Sequence, residues 1–218
     1  MDSSTPQSSP KDFSWVAEGS TESQEVAAYY DQWAQTYDTT LAQWQYTAPQ
    51  ETARILGEYA PLTSRILDAG CGTGLTGKAL QDQGYTRIVG LDISADSLTY
   101  AHQCGAYTEL LHHDLQQQPF PCEPNSFDAL VCIGVLAYID DVLPLLREWC
   151  RLVRAGGYIL FSQRTDLFAQ HEYPRLLACL EREGLWQRVL ISDPARYLPH
   201  NPDFGDRILV QYCLYQAC

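Results

Sequence analysis

A chain that carries RILDAGCGTGLTGK at Arg65–Lys78 has few folds open to it. Ile66 and Leu67 read as a short apolar strand, and Asp68 as an acid where that strand ends. Gly70, Gly72 and Gly74 form a loop, and Leu75, Lys78, Ala79 and Leu80 open a helix. Glycine at alternate loop positions turns the backbone sharply and leaves main-chain N–H groups open to a ligand, because no Cβ stands in the way. A strand–glycine loop–helix unit is the nucleotide-binding corner of a doubly wound α/β sheet.

Two glycine registers overlap in this loop. Gly72, Gly74 and Gly77 satisfy G-x-G-x-x-G, the dinucleotide fingerprint, a weak signal as a bare pattern. The first glycine of that fingerprint should close the strand, yet this strand ends at Asp68 and Gly70. In the frame that begins there, Leu75 replaces the third glycine. A carboxylate just ahead of the loop repels the phosphates of a dinucleotide and suits a cationic, amino-bearing ligand. LDAGCGTG resembles the first motif of the class I S-adenosylmethionine-dependent methyltransferases. The resemblance implies S-adenosyl-L-methionine as cofactor and S-adenosyl-L-homocysteine as product. It carries Asp68, Gly70, Cys71, Gly72, Gly74 and Leu75 over as cofactor-binding residues.

At 218 residues and 45% apolar composition, the chain suffices for one domain with a sizeable core. No apolar run approaches the roughly 18–20 residues that span a bilayer, and no basic-then-apolar secretory leader is expected. Eight scattered cysteines without a C-x-x-C fit reduced thiols of a cytoplasmic protein better than disulfides or zinc. A formal charge of −13 opposes long contact with phosphate backbones, so a small-molecule acceptor is expected rather than a nucleic acid. No membrane or metal partner is expected, and the chain is read as a monomer or homodimer.

Residues 1–20 lack periodicity and are rich in Ser and Pro, which predicts a disordered lead before a single domain over 21–218. Residues 21–60 are read as a helical lid, and 61–218 as a Rossmann-like core. Val26, Tyr30, Trp33 and Tyr37 recur at helical spacing over Glu22–Tyr37. YYDQWAQTYD resembles the N-terminal segment of many small-molecule methyltransferases, in which the helix closes the site; Tyr37 and Tyr30 are the cofactor contacts this implies. For Trp33, packing on the domain is the expectation. A second helix is predicted from Pro49 to Tyr59.

Beyond the loop, Gly84 caps the first core helix. Arg87–Asp92 is a buried strand ending in an acid, 18 residues beyond Gly74. A carboxylate near that spacing meets the ribose hydroxyls, with Ile93 beside the adenine and Ser94 as the cap of the next helix. Asp114, just after the short strand Tyr107–His112, resembles the position that accepts the adenine amino group, with Leu115 as neighbour. His112 and His113 point to opposite faces if they lie on a strand, which argues against a metal; His113 stays a candidate base. Phe127–Ile133 is the most continuous apolar strand and is expected at the sheet centre. By resemblance Ile133 and Gly134 flank the methionine end of the cofactor, and Val135–Tyr138 helps form the acceptor pocket.

Asp140–Arg154 is predicted as a helix stopped by Ala155-Gly156-Gly157, followed by a strand that ends at Arg164. Arg164 is a candidate for an anionic acceptor group or a salt bridge, and His171 a candidate if its loop folds inward. Tyr173–Glu183 is a last helix, and Trp186–Ser192 with Arg207–Tyr215 a closing strand pair. The fold class is therefore α/β: a mostly parallel seven-stranded doubly wound sheet with an antiparallel last strand, helices on both faces and an N-terminal helical lid. With SQRT and EGLW added, the motifs are similar to the Williams–Beuren-region methyltransferase-like group. The activity implied is direct displacement, methyl passing to an O-, N- or carboxyl acceptor. The rivals are an NAD-dependent oxidoreductase, a non-catalytic S-adenosylmethionine-binding partner protein, and a methyl ester-forming enzyme acting on a carrier-bound acid whose carboxylate Arg164 would hold.

Overall fold

The computed structural model describes residues 15–16, 19–204 and 207–218. Most of the expected disordered lead lies outside the described residues. Within it, Val16 is buried, and the Trp15 ring stacks 4.3 Å from Tyr29 and 5.4 Å from Tyr138.

The glycine corner forms as its local sequence demands. β1 (Arg65–Ala69) leads through the loop into α3 (Leu75–Gln83), and Gly74 and Gly84 bracket that helix at φ +103° and +112°. Ahead of β1 lie α1 (Ser23–Gln43) and α2 (Ala48–Gly57). Behind α3 come β2 (Arg87–Asp92), α4 (Ala95–Cys104), β3 (Glu109–His112) and β4 (Phe127–Cys132). A 3-10 turn (Leu136–Tyr138), α5 (Val142–Leu152), β5 (Val153–Arg164), α6 (Thr165–Gln170) and α7 (Tyr173–Arg182) follow. β6 (Trp186–Ile191), the two-residue β7 (Ala195–Arg196) and β8 (Leu209–Ala217) close the chain.

The strands run in the order β3-β2-β1-β4-β5-β8-β6, with β7 paired to β8. β3, β2, β1, β4 and β5 pair in parallel. β8 enters antiparallel between β5 and β6, so the expected architecture holds, with β7 as a short addition. Alternating residues of each central strand face opposite layers. Leu67, Leu130 and Phe161 meet α5 and α7 through Trp149, Leu145 and Leu180. Ile66, Val131 and Leu160 meet α2 and α3 through Leu56 and Leu80. Burial on both faces is why these strands read as unbroken apolar runs.

Several boundaries differ from the sequence reading: α1 runs past the expected Tyr37 to Gln43, and β3 starts at Glu109 rather than Tyr107. α5 stops at Leu152, because Val153 already pairs with Phe127 of β4. Ala155-Gly156-Gly157 therefore belongs to an irregular start of β5, where the register shifts, rather than to a helix stop. The six-residue α6 buries no side chain, so no apolar period marks it in the sequence.

α1 lies over the glycine corner and the start of α4, and is tied once to each. Asp38 Oδ1 accepts from Thr73 Oγ1 at 2.5 Å, and Asp31 Oδ1 accepts from Ser94 Oγ at 2.6 Å. Asp31 and Asp38 are seven residues apart, two helical turns, and so share one face. Trp33, 1% exposed, anchors the helix in a third apolar cluster with Leu41, Trp44, Leu198 and Phe204, as its packing role requires.

Candidate active site

The chain order reverses between β1 and β4, and the crevice beyond the carboxyl ends of such neighbours is where open α/β sheets bind ligands. A cavity of about 80 Å³ lies there. Gly70 from the end of β1, Asp92 and Ile93 from β2, and Ile133 and Gly134 from β4 line it. Gly72 from the loop, Asp114 and Leu115 from beyond β3, and Tyr30 and Tyr37 from α1 line it too.

Each wall has a local cause. Asp92 is 8% exposed and is held by backbone donors: Oδ2 accepts from Gly72 N at 2.7 Å, and Oδ1 from Ser94 N at 2.8 Å. Burial pushes its carboxyl up, against those amides and that of Ile93, which pull it down. Ser94, not Asp92, caps α4: its hydroxyl accepts from Ser97 N at 3.0 Å. Gly72 sits at φ +52°, and a Cβ built there meets nothing within 4 Å. The loop thus offers open room for a ligand against bare backbone. Asp114 Oδ1 accepts from Gln116 N at 2.8 Å beside the apolar Leu115. A carboxylate at mid-cavity, a second at one end and apolar flanks match a nucleoside with vicinal hydroxyls and an exocyclic amine.

Four other residues assigned to the cofactor, Asp68 of β1, Cys71 and Gly74 of the loop and Leu75 at the start of α3, are not among the lining residues. Asp68 follows Ile66 on the α3 side of β1, since alternate strand residues share a face. It is 1% exposed, and its Oδ2 accepts from the Tyr107 hydroxyl at 2.7 Å. Burial raises its carboxyl to about 7, with the nearby Asp92 charge adding to the rise. The Cys71 thiol turns under the loop to within 2.9 Å of where a Gly90 Cβ would stand. A Cβ on Gly74 would meet Cys104 Sγ at 2.8 Å, so Gly74 serves the contact with α4. Leu75 joins the aromatic cluster under α1.

The three catalytic candidates also stand away from the cavity. His113 turns toward Gln117, its Nε2 2.7 Å from that carbonyl, and lies edge-on to Phe120. His112 and His113 line an adjoining outer groove that shares Ser23, Ile93 and Asp114 with the cavity, and neither is among the residues lining the cavity itself. His171 is exposed after α6, whose loop does not fold inward. Arg164 pairs with Asp166 at 2.6 Å, donates to the Val16 carbonyl at 3.2 Å and lies over the Phe204 ring. It stands behind the cavity in the wall of a second recess.

Val26 lines the cavity from the same helical face as Tyr30 and Tyr37, and Ser23, Gln116 and Ile139 do so without any sequence signal to mark them. Val135 and Tyr138 do so from the loop expected to form the acceptor pocket. Gln116 earns its place through distant partners: its Nε2 donates to Thr21 O at 2.7 Å and Ser23 Oγ at 3.0 Å, and its Oε1 accepts from Asp140 N at 2.9 Å.

A model of the methyltransferase domain matches residues 67–161. Human methyltransferase-like protein 27 is 31% identical over 170 residues, 74% of this chain and 68% of that protein. The chain belongs to the class I S-adenosylmethionine-dependent methyltransferases. Its cofactor is S-adenosylmethionine, which fits the donor set around Gly72, Asp92 and Asp114. The ubiquinone biosynthesis O-methyltransferase of Paracidovorax citrulli is 33% identical over 108 residues, 47% of this methyltransferase but only 45% of that enzyme. A TehB-like S-adenosylmethionine-dependent methyltransferase from Corynebacterium glutamicum shares the fold, with a TM-score of 0.65 and 21% identity over 88% of this chain and 99% of the other. A possible histamine N-methyltransferase from Thermotoga maritima does so at a TM-score of 0.63 and 14% identity, covering 87% and 98%. Among the described residues no helix is long and apolar enough to cross a membrane.

Proposed function

We propose that this methyltransferase acts on a small-molecule acceptor by direct displacement. Asp92 takes the ribose hydroxyls, Asp114 the adenine amino group, and Ile93 and Leu115 the adenine faces. Gly70 and Gly72 pass the ligand along bare backbone, and Ile133, Gly134, Tyr30, Tyr37 and Tyr138 surround the methionine end. Single domain organisation over residues 21–218, with 21–60 as the lid, and a cytoplasmic location complete the reading.

The observation that carries it is the convergence of Gly72, Asp92, Asp114 and Gly134, far apart in sequence, on one cavity at the reversal of strand order. The small opening beneath α1 suits a compact acceptor, and the formal charge of −13 disfavours a polyanionic one. S-adenosylmethionine supplies an electrophilic methyl group. The protein's part is to align the acceptor and exclude water, which the aromatic face of α1 does by covering the crevice.

The test is calorimetric titration with S-adenosylmethionine, S-adenosylhomocysteine and NAD, on the wild type and on Asp92→Ala. Binding of both sulfur ligands, lost at least ten-fold in the variant, is expected. Binding of NAD alone would overturn the reading.

A further inference from the structure

α1 is tied to three separate stretches of the cavity wall, each beside a lining residue. Asp38 holds Thr73, next to Gly72, and Asp31 holds Ser94, next to Ile93. The third tie is made at the start of the helix by Gln116, next to Leu115 and two residues from Asp114. Unlike Thr73 and Ser94, Gln116 lines the cavity itself.

One residue here joins three parts of the chain. The backbone N–H of Gln116 donates to Asp114 Oδ1 at 2.8 Å and so holds that carboxylate. Its side-chain Nε2 donates to Thr21 O at 2.7 Å and to Ser23 Oγ at 3.0 Å, at the first turn of α1. Its Oε1 accepts from Asp140 N at 2.9 Å, in the segment ahead of α5. Only an amide can do this: a carboxylate has no proton for the Thr21 carbonyl, and an ammonium has no lone pair for the Asp140 amide. Glu22, the cap position of α1, makes no side-chain cap bond, so Gln116 serves the helix start from outside it. From that start Ser23, Val26 and Tyr30 run along the cavity at spacings of three and four, on one helical face. The place of Asp114 and the place of the lid wall are thus set by the same residue.

We propose that Gln116 is a positioning residue that couples the adenine end of the cofactor site to the closing of α1 over it. The proposal rests on the reading of Asp114 as the acceptor for the adenine amino group. An amino group that donates to Asp114 fixes the turn from which the Gln116 side chain leaves, and that side chain fixes the first turn of α1. The same path runs backward: the tie to α1 holds Asp114 where the amino group meets it. Coupling between two sites is reciprocal, so losing the tie weakens the amino contact as well as the lid. A ligand without the amino group leaves the path unused.

The test compares two ligands by calorimetry: S-adenosylhomocysteine, and S-inosylhomocysteine, in which a ring carbonyl replaces the amino group. Gln116→Glu keeps the shape and the bond from Asp140 N but sets a second acceptor against Thr21 O. Gln116→Met keeps the reach and makes neither bond. Both variants are expected to bind S-adenosylhomocysteine roughly ten-fold more weakly. S-inosylhomocysteine should lose much less, so the preference between the two ligands narrows several-fold. A merely structural role would weaken both ligands alike, and an unchanged preference overturns the proposal. An effect of Glu without one of Met would trace to the new charge beside Asp114 and overturns it too. Hydrogen exchange supplies the second readout: S-adenosylhomocysteine should protect both the Asp114 turn and the first turns of α1 in the wild type, and the Asp114 turn alone in the saturated variants. Protection of α1 that survives in both variants overturns the coupling. Should neither Gln116 variant fold, Ser23→Ala removes one partner from the lid side; a narrowed preference supports the proposal and an unchanged one overturns it. The wild type separates the levels: no binding of S-adenosylhomocysteine sinks the cofactor site, and binding without preference sinks the role of Asp114. A preference that the variants keep sinks only that of Gln116.

Discussion

Asp68→Asn is expected to stabilise the protein at pH 8 and to flatten its pH dependence. The buried carboxyl rises to about 7 in the fold from an ordinary value of 3.8. An acid raised on folding contributes stability that is fully present below its unfolded value and is lost as pH rises through its folded value. Between those limits the native state holds a proton that the unfolded chain does not, so stability falls by about 1.4 kcal/mol per pH unit. Over about three units the loss is about 4 kcal/mol. The asparagine carbonyl can accept from Tyr107 as Asp68 Oδ2 does at 2.7 Å, and its amide replaces Oδ1, which has no hydrogen-bond partner. An unpartnered buried amide costs about 1–3 kcal/mol, so the net gain at pH 8 is about 1–3 kcal/mol. For a chain of this size that is a rise of roughly 2–12 °C in Tm. Thermal unfolding of both proteins from pH 4 to 9 reads it directly: the gap between their curves should open across pH 4–7 and stay level above. A gap independent of pH would show that Asp68 is ionised in the fold and that the reasoning fails. Affinity for S-adenosylhomocysteine should change less than two-fold, since Asp68 faces α3 and not the cavity.

Gly77→Ala would normally strengthen α3 by about 1 kcal/mol. Here its Cβ would run into the Tyr107 ring that Asp68 holds, so a net loss of about 1–2 kcal/mol is expected by denaturant unfolding, and a gain would contradict the packing. Asp38→Asn weakens the 2.5 Å tie between α1 and Thr73; S-adenosylhomocysteine should leave several-fold faster in a stopped-flow chase, and an unchanged rate would mean α1 does not gate the site. Glu148 is 6% exposed, accepts from Phe120 N at 2.7 Å and pairs with Arg151 at 2.6 Å, and those donors hold its carboxyl below the usual range despite burial. Glu148→Gln should cost about 1.5–3 kcal/mol at pH 7. The cost should shrink as acid takes the wild type below pH 4.5 and through its lowered folded value, whereas a cost equal at pH 7 and pH 3 would point to lost packing alone.

What the sequence determined by itself is what short-range chemistry dictates. Gly70, Gly72, Gly74 and Gly84 adopt positive φ because turns of that geometry admit little else. Asp92 and Asp114 sit at strand ends because an apolar strand stops where charge begins. The unbroken apolar run of β4 marked a strand buried on both faces, and the period of three to four in α1 marked the face that packs. Those signals sufficed for the parallel sheet and its layers, whereas the places of Asp114 and Gly134 on the cavity were expected from the family resemblance. The tertiary structure alone decided which way side chains turned once elements met. Asp68 belongs to Tyr107, 39 residues away, because the phase of β1 puts it under α3. Arg164, exposed at a strand end by sequence, is enclosed by Asp166, Phe204 and the Val16 carbonyl, 148 residues distant. Gln116 and Ser23 reach the cavity, and Tyr46 meets Tyr197 at Gly134, through contacts that no window of sequence contains. Local propensity acts within a few residues of the chain, whereas a binding site is built from side chains that packing brings together.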